Sequence, residues 1–236
     1  MQPTQVRLSI VMPVLNEAAQ IEATLSSLQG WRSQGVEVIV VDGGSSDATV
    51  ALAAPLADRV CPSAKGRARQ MNTGAAAATG EVLLFLHADT QLPLGACEAV
   101  LQALTHAGPV AQKQPERWGR FDVSIEGRPT MLRVVAALMN LRSRLTGIAT
   151  GDQAIFMHRS LFERVGGFPD QPLMEDIELC TRLRRHAWPL CLRQKVRTSG
   201  RRWETRGVWR TIGLMWSLRW RYWRGESAHV LEQAYR

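Results

Sequence analysis

Apolar and β-branched residues dominate Arg7 to Val14 and Val36 to Val41, the pattern of strands buried on both faces of a parallel sheet. Between them Ile21, Leu25 and Leu28 recur at helical spacing, which predicts a helix over Glu17 to Leu28 that covers the sheet. The alternation continues. Asp47 is placed to cap a helix from Ala48 to Leu56, a short strand follows at Arg59 to Cys61, an alanine-rich helix runs through Ala75 to Ala78, and Val82 to Leu86 forms another apolar strand. Such an order predicts an α/β fold whose ligand site lies at the C-terminal ends of the strands.

The second half is less regular. Leu92 to Thr105 reads as a helix, Pro109 to Pro115 as a polar break, Arg120 to Ile125 as a strand and Thr130 to Arg144 as a helix. A strand at Gln153 to Met157, a helix at Glu175 to Arg185, a strand at Pro189 to Val196 and a last helix at Val208 to Trp223 complete the chain. No internal repeat or low-complexity tract interrupts it.

With 236 residues and 45% apolar content, the chain can bury one sizeable core, and a single domain is expected. No run approaches the roughly 18 apolar residues that span a bilayer. The opening residues show no secretory pattern, so a cytoplasmic protein is expected. Cys61, Cys97, Cys180 and Cys191 form no CxxC pair, which argues for free thiols over a zinc or redox site. The net charge of +8 is concentrated near the C-terminus, since residues 182–236 carry +11 and the rest −3. A basic segment of this kind suits anionic lipid or substrate phosphates. Nucleic acid is not expected, because no helix-turn-helix, zinc-finger or RNP pattern accompanies the charge.

Polar residues gather at three strand ends: Pro13-Val14-Leu15-Asn16-Glu17, Asp42-Gly43-Gly44-Ser45-Ser46-Asp47 and His87-Ala88-Asp89-Thr90. Core strands seldom need such ends, whereas ligand loops do. The first contains no GxGxxG, which excludes a dinucleotide-binding Rossmann site and disfavours a sugar nucleotidyltransferase.

In their order along the chain, PVLNE, VVDGGSSD, KGRARQMN, LHADT, GDQAIF and EDIEL resemble glycosyltransferase family 2, in particular a small soluble bacterial branch with GRARQMN and LHADT motifs. The resemblance runs from about Leu8 to Trp203. It implies a GT-A fold, a mostly parallel sheet flanked by helices. Residues 1–92 would form a nucleotide-binding half, 93–204 an acceptor half, and 205–236 a basic, tryptophan-rich C-terminal helix. The implied activity is metal-assisted, inverting transfer of a hexosyl or N-acetylhexosaminyl group from a nucleoside-diphosphate sugar, with UDP the expected nucleotide.

The resemblance also implies roles for individual residues. Pro13, Asn16 and Glu17 would line the nucleoside pocket, although Asn16 and Glu17 equally suit helix capping. Asp42, followed by Gly43, would meet the nucleobase; the alternative is an Asx-type turn. Lys65, Arg67 and Arg69 stand around Gly66 at a helix start, where cations and free N–H groups favour diphosphate, and Asn72 would order that loop. His87-Ala88-Asp89 occupies the place of the DxD motif, with Asp89 as ligand of Mn²⁺ or Mg²⁺ and His87 a metal or donor contact. Asp176, with Glu175 beside it, would be the general base toward an acceptor that the sequence does not identify. Asp152 is a candidate for the donor sugar or for a turn, and Arg120 a candidate near the acceptor or a plain edge-strand arginine. Arg202 and Trp203 stand where a diphosphate clamp and a sugar-stacking ring are expected.

On a helical wheel Arg206, Arg210, Ser217, Arg221 and Arg224 form one stripe beside four tryptophans. Residues 205–224 therefore have three readings: an anionic membrane surface at the inner face of the cell membrane, a cover for the domain's own core, or an oligomer contact. A nucleotide-sugar-binding regulator without turnover, or a membrane-associated scaffold, is the alternative to an enzyme.

Overall fold

The computed structural model describes residues 8–105 and 117–235. Its elements in chain order are β1 (Leu8–Val14), α1 (Ile21–Arg32), β2 (Glu37–Asp42), α2 (Thr49–Ala53), β3 (Arg59–Pro62), α3 (Arg67–Ala77), β4 (Val82–Phe85), β5 (Thr90–Gln91), α4 (Ala96–Thr105) and β6 (Trp118–Glu126). They continue with α5 (Met131–Thr146), a 3-10 turn (Gly151–Gln153), β7 (Phe156–His158), α6 (Arg159–Arg164), α7 (Glu175–Leu183), β8 (Leu190–Ser199), α8 (Arg201–Arg206), α9 (Val208–Trp223) and α10 (Ala228–Tyr235).

All eight strands join one sheet in the order β3-β2-β1-β4-β7-β6-β8-β5. The first four strands in that order are parallel to one another, β7 runs against both β4 and β6, and β6 and β8 are parallel. The parallel half follows from its short βαβ connections, since each crossover returns the chain to the same edge direction. Along β1, Leu8, Ile10, Met12 and Val14 enter one core and Val11 the other, because successive side chains point to opposite faces. Both faces are covered, which is why these strands read as continuous apolar runs.

Helix α3 approaches the sheet unusually closely. A Cβ on Gly74 would lie 2.3 Å from Val11 Cγ1, so only glycine lets the helix settle there, and that settling brings its basic N-terminus to the ends of β1 and β2.

Several expectations are corrected. The first helix begins at Ile21, because Asn16 takes a left-handed backbone (φ 54°) and residues 17–20 form a turn closed by Ile21 N–H on the Glu17 carbonyl. The strand expected from Gln153 starts only at Phe156. Gln153 is drawn inward instead, its side-chain oxygen accepting from Thr150 N at 3.2 Å. Arg120 is fully buried, bound to the Asp122 carboxylate and to the carbonyls of Phe121 and Asn140, so it is no acceptor contact. The break at Pro109 to Pro115 lies outside the described residues, as does Arg7. Cys97 and Cys180 are buried and Cys61 and Cys191 half-buried, all four as free thiols.

In α9, Thr211 and Leu218 are buried, with Ile212, Leu214 and Met215 packed around them, while Trp209, Trp216, Trp220 and Trp223 stay 58–75% exposed. One face of the helix thus covers the core, and the tryptophans point away from it. Among the described residues no helix is long and apolar enough to cross a membrane.

Candidate active site

Four loops that are far apart in sequence meet at the C-terminal ends of β1, β2 and β4. The first two clasp each other. Asn16 N–H donates to Ser45 Oγ at 2.8 Å, Ser46 N–H to Asn16 Oδ1 at 2.8 Å, and Ala18 N–H to Asp47 Oδ2 at 3.2 Å. Asp47 also accepts from Thr49 N–H at 3.0 Å, so it locks the start of α2 while tying the loops together. Asp42, buried at the end of β2, accepts from Gly44 N–H at 3.0 Å and Ser45 N–H at 3.1 Å. Its carboxylate holds the Asx-type turn, and Gly43 N–H closes the loop on the Val14 carbonyl.

Gln70 is the residue in this region that sequence reasoning missed. It is buried in α3, and its amide donates to the carbonyls of Val14 (2.7 Å) and Val41 (2.8 Å), pinning the ends of β1 and β2. A Cβ on Gly43 would stand 3.0 Å from the same amide. The only sequence signal is a polar residue at an apolar position of the helix, and which carbonyls it meets depends on the fold.

Between these strand ends and the basic loop lies a cavity of about 660 Å³. Pro13, Glu17, Lys65, Arg67 and Arg69 line one side, Asp170 to Leu173 another, and α10 closes it with His229, Glu232 and Tyr235. Arg69 grips Asp170 with two hydrogen bonds of 2.7 and 2.9 Å at the mouth. Asn72 exchanges hydrogen bonds with both backbone groups of Phe168, so it fixes the 167–168 turn, where Gly167 has φ 65°. Arg67 is half-exposed and reaches Glu175 at 3.5 Å. Burial lowers its pKa, but the charges of Glu175, Asp152, Asp176 and Asp89 outweigh that and raise it. A guanidinium facing four carboxylates remains fully charged.

The hub is the Gly151-Asp152 segment. His87 Nδ1 lies 3.4 Å from Asp152 Oδ1, and Gly151 N–H donates to Asp176 Oδ2 at 3.1 Å. These two contacts join the HAD and ED motifs, which are almost ninety residues apart. Gly151 permits the approach, since a Cβ there would fall 2.3 Å from His87 Cε1. Burial raises the Asp152 pKa, yet the hydrogen bond from His87 and the charges of His87, Arg67 and Arg202 bring it below the ordinary value.

Glu175 and Asp176 open α7 after Met174, whose φ is 65°. Glu175 is buried; Asp176 accepts from Gly151 N–H and, through Oδ1, from Ile177 N–H at 2.7 Å. Burial, then the neighbouring Glu175, pushes the Asp176 carboxyl up to about 6 against those hydrogen bonds. A carboxylate poised near neutrality can take a proton from a hydroxyl in a transition state. Arg142, which the sequence did not single out, buries both terminal nitrogens without a hydrogen-bond partner among the described residues, and its charge acts on Asp176.

A divalent cation fits this site only with help from a ligand. Asp89 accepts one long hydrogen bond of 3.3 Å from Thr90, which leaves its carboxylate available, and His87 Nε2 is buried without a partner among the described residues. Glu17 has its pKa raised by burial and by the Asp89 charge, so negative charge accumulates here. No group of three or more ligating side chains occurs among the described residues. Asp89 thus suits a cation that takes its remaining oxygens from diphosphate and water.

Arg202 lies 4.4 Å over the Tyr235 ring, and its charge acts on Asp152. Trp203 packs half-buried against the core, so its ring is engaged in packing where the sequence suggested a sugar-stacking surface.

Comparison with known proteins bears on the family and the fold. The model of Glycosyl transferase family 2 matches residues 9–166. A PGL/p-HBAD biosynthesis glycosyltransferase of Mycobacterium bovis is 34% identical over 167 residues, covering 68% of this chain and 62% of the relative. An uncharacterized glycosyltransferase of Mycobacterium tuberculosis is 31% identical over 168 residues, with the same shares. The chain thus spans less than two thirds of the length of these relatives. Among solved structures, S. aureus TarS 1-349 in complex with UDP-GlcNAc superposes with a TM-score of 0.63 at 17% identity, over 82% of this chain and 58% of that one. The mannosyltransferase PcManGT of Pyrobaculum calidifontis, in complex with GDP-Man and Mn²⁺, gives 0.61 at 23% identity, over 81% and 56%. The sheet is that of the GT-A glycosyltransferases, and the chain belongs to glycosyl transferase family 2.

Proposed function

We propose that this protein transfers a sugar from a nucleoside-diphosphate donor to an acceptor with inversion, in one domain whose first half holds the nucleotide and whose second half holds the acceptor. The observation that carries this reading is the junction at Gly151-Asp152, where the HAD motif meets the ED pair beside a basic cavity. Lys65, Arg67 and Arg202 would bind the diphosphate, while Pro13, Asn16, Glu17 and the Asp42-Gly43 turn would frame the nucleoside. Asp176 would accept the proton of the acceptor nucleophile as its oxygen bonds to the anomeric carbon and the bond to diphosphate breaks on the opposite face. When bound at Asp89, Mn²⁺ or Mg²⁺ would offset charge on the departing diphosphate. UDP is the nucleotide favoured, in keeping with the UDP-GlcNAc-bound neighbour, and a GDP-linked donor is the competing one, in keeping with the GDP-Man-bound neighbour.

Thermal melting with UDP, GDP, TDP and CDP, each with and without Mn²⁺, tests the donor half of this reading. A nucleotide at 100 times its dissociation constant adds about 2.7 kcal/mol to stability. A metal-dependent rise with one nucleotide, lost in Asp89→Asn, is expected; no rise with any of the four removes the reading.

The exposed tryptophans of α9 favour a second element, association with an anionic membrane surface. The Trp220 and Trp223 rings lie 5.1 Å apart, Arg224 lies 6.0 Å over Trp220, and Arg210 is exposed on the same helix. Aromatic rings flanked by guanidinium groups suit the headgroup layer, where a lipid-linked acceptor would be met.

A further inference from the structure

The family match ends at residue 166, yet the wall that closes the nucleotide cavity comes from α10, near the end of the chain. This helix is firmly held. Gly225, with φ 88°, turns the chain after α9, and Arg221 binds Glu226 with two hydrogen bonds of 2.6 and 2.5 Å across that turn. Leu231, fully buried, joins Leu218 against Leu173 and Met174, the residues that lead directly into Glu175 and Asp176. With its apolar side fixed on this loop, α10 turns His229, Glu232 and Tyr235 toward the cavity.

Tyr235, which lines the cavity, is tied to two basic residues of α8 beside it. Its carbonyl accepts from Arg206 at 2.8 Å, and its ring carries the Arg202 guanidinium at 4.4 Å from the centroid. Arg202 stands on the exposed helix α8. A long side chain there has many rotamers, and ordering it on binding costs free energy. The ring removes part of that cost beforehand. Arg202 and Arg67 also repel one another across the site, an arrangement that an anion between them would relieve.

We propose that α10 is the outer wall of the donor pocket, and that Tyr235 is a positioning residue which holds Arg202 ready for the donor's diphosphate. The inference rests on the nucleotide-sugar reading given above. It goes further by assigning donor affinity to a segment beyond the family match.

Calorimetric titration of the full chain with UDP and with GDP, each in the presence of Mn²⁺, tests it on wild type, Tyr235→Phe, Tyr235→Leu, Arg202→Met and the Tyr235→Leu/Arg202→Met double variant. Tyr235→Phe keeps the ring and is expected to bind as wild type does. Tyr235→Leu keeps apolar packing but loses the cation–π contact, and weaker binding by about two- to five-fold is expected. In the Arg202→Met background the same Tyr235→Leu change should have no further effect, which a purely structural role of the tyrosine would not produce. Equal or tighter binding by Tyr235→Leu, or an equal loss in both backgrounds, overturns the inference while leaving the donor reading intact. If wild type binds neither nucleotide, the donor reading itself falls and this inference with it.

Discussion

Replacing Asp176 by asparagine should make the protein more stable and less active at once. In the folded state the carboxyl is raised from the ordinary 3.8 to about 6 by burial and by Glu175, so its ionised form carries a penalty of ~3 kcal/mol above pH 6. Below about pH 4 the carboxyl is protonated in folded and unfolded chains alike, and the penalty vanishes; wild type therefore loses this stability as pH rises from 4 to 6. Asparagine is neutral throughout. It keeps one acceptor for the two donors Gly151 N–H and Ile177 N–H, so one hydrogen bond to a charged group, worth about 1.5–3 kcal/mol, is partly lost. The remainder is a gain on the order of 1 kcal/mol at pH 7.5, equivalent to about 2–4 °C in melting temperature for a chain of this size. Melting curves at pH 7.5 and pH 4 measure it, and the advantage should disappear at the lower pH. Donor turnover, followed as nucleoside-diphosphate release, should fall by about 10²–10⁴. A variant that melts lower than wild type at pH 7.5 and equally at pH 4 would refute the reasoning, because the carboxylate would then be stabilising where it stands.

Gln70→Leu removes both amide bonds to Val14 and Val41; a loss of ~2–3 kcal/mol is expected in urea unfolding, together with weaker nucleotide binding as the two strand ends separate. Gly151→Ala forces the new methyl against His87; a loss of about 1–3 kcal/mol in stability and a shifted His87 imidazole resonance are expected, and an unchanged resonance would contradict the contact. Changing Trp209, Trp216, Trp220 and Trp223 together to alanine should leave the melting temperature nearly unchanged, since all four are exposed. It should abolish flotation with phosphatidylglycerol-containing vesicles at low salt, and equal flotation of variant and wild type would remove the membrane reading.

The periodic segments were legible in the sequence because their cause is local. The continuous apolar run of β1 and the helical spacing in α1 reflect how many faces are buried, and both recur in the structure. The polar strand ends at Asn16, Asp42 and Asp89 were conspicuous for the same reason, as breaks in apolar runs. Boundaries were less legible where a side chain left the regular path, as with Asn16 in its left-handed turn and Gln153 drawn under the sheet. The short elements β5, α6, α8 and α10 carried too few residues to show a period. Arg120 read as an acceptor contact or an edge-strand arginine until the fold supplied Asp122 and two carbonyls around it.

By itself the sequence determined the alternating α/β order, the apolar cores and the set of polar residues available for chemistry, because these depend on periodicity and side-chain type. Only the tertiary structure decided which of those residues meet. The contact of His87 with Asp152, the hydrogen bond from Gly151 to Asp176, the clasp of Gln70 on two strands and the Arg202–Tyr235 pair join residues separated by 25 to 65 positions. Such contacts are fixed by the packing of whole elements against one sheet, and no local pattern records them.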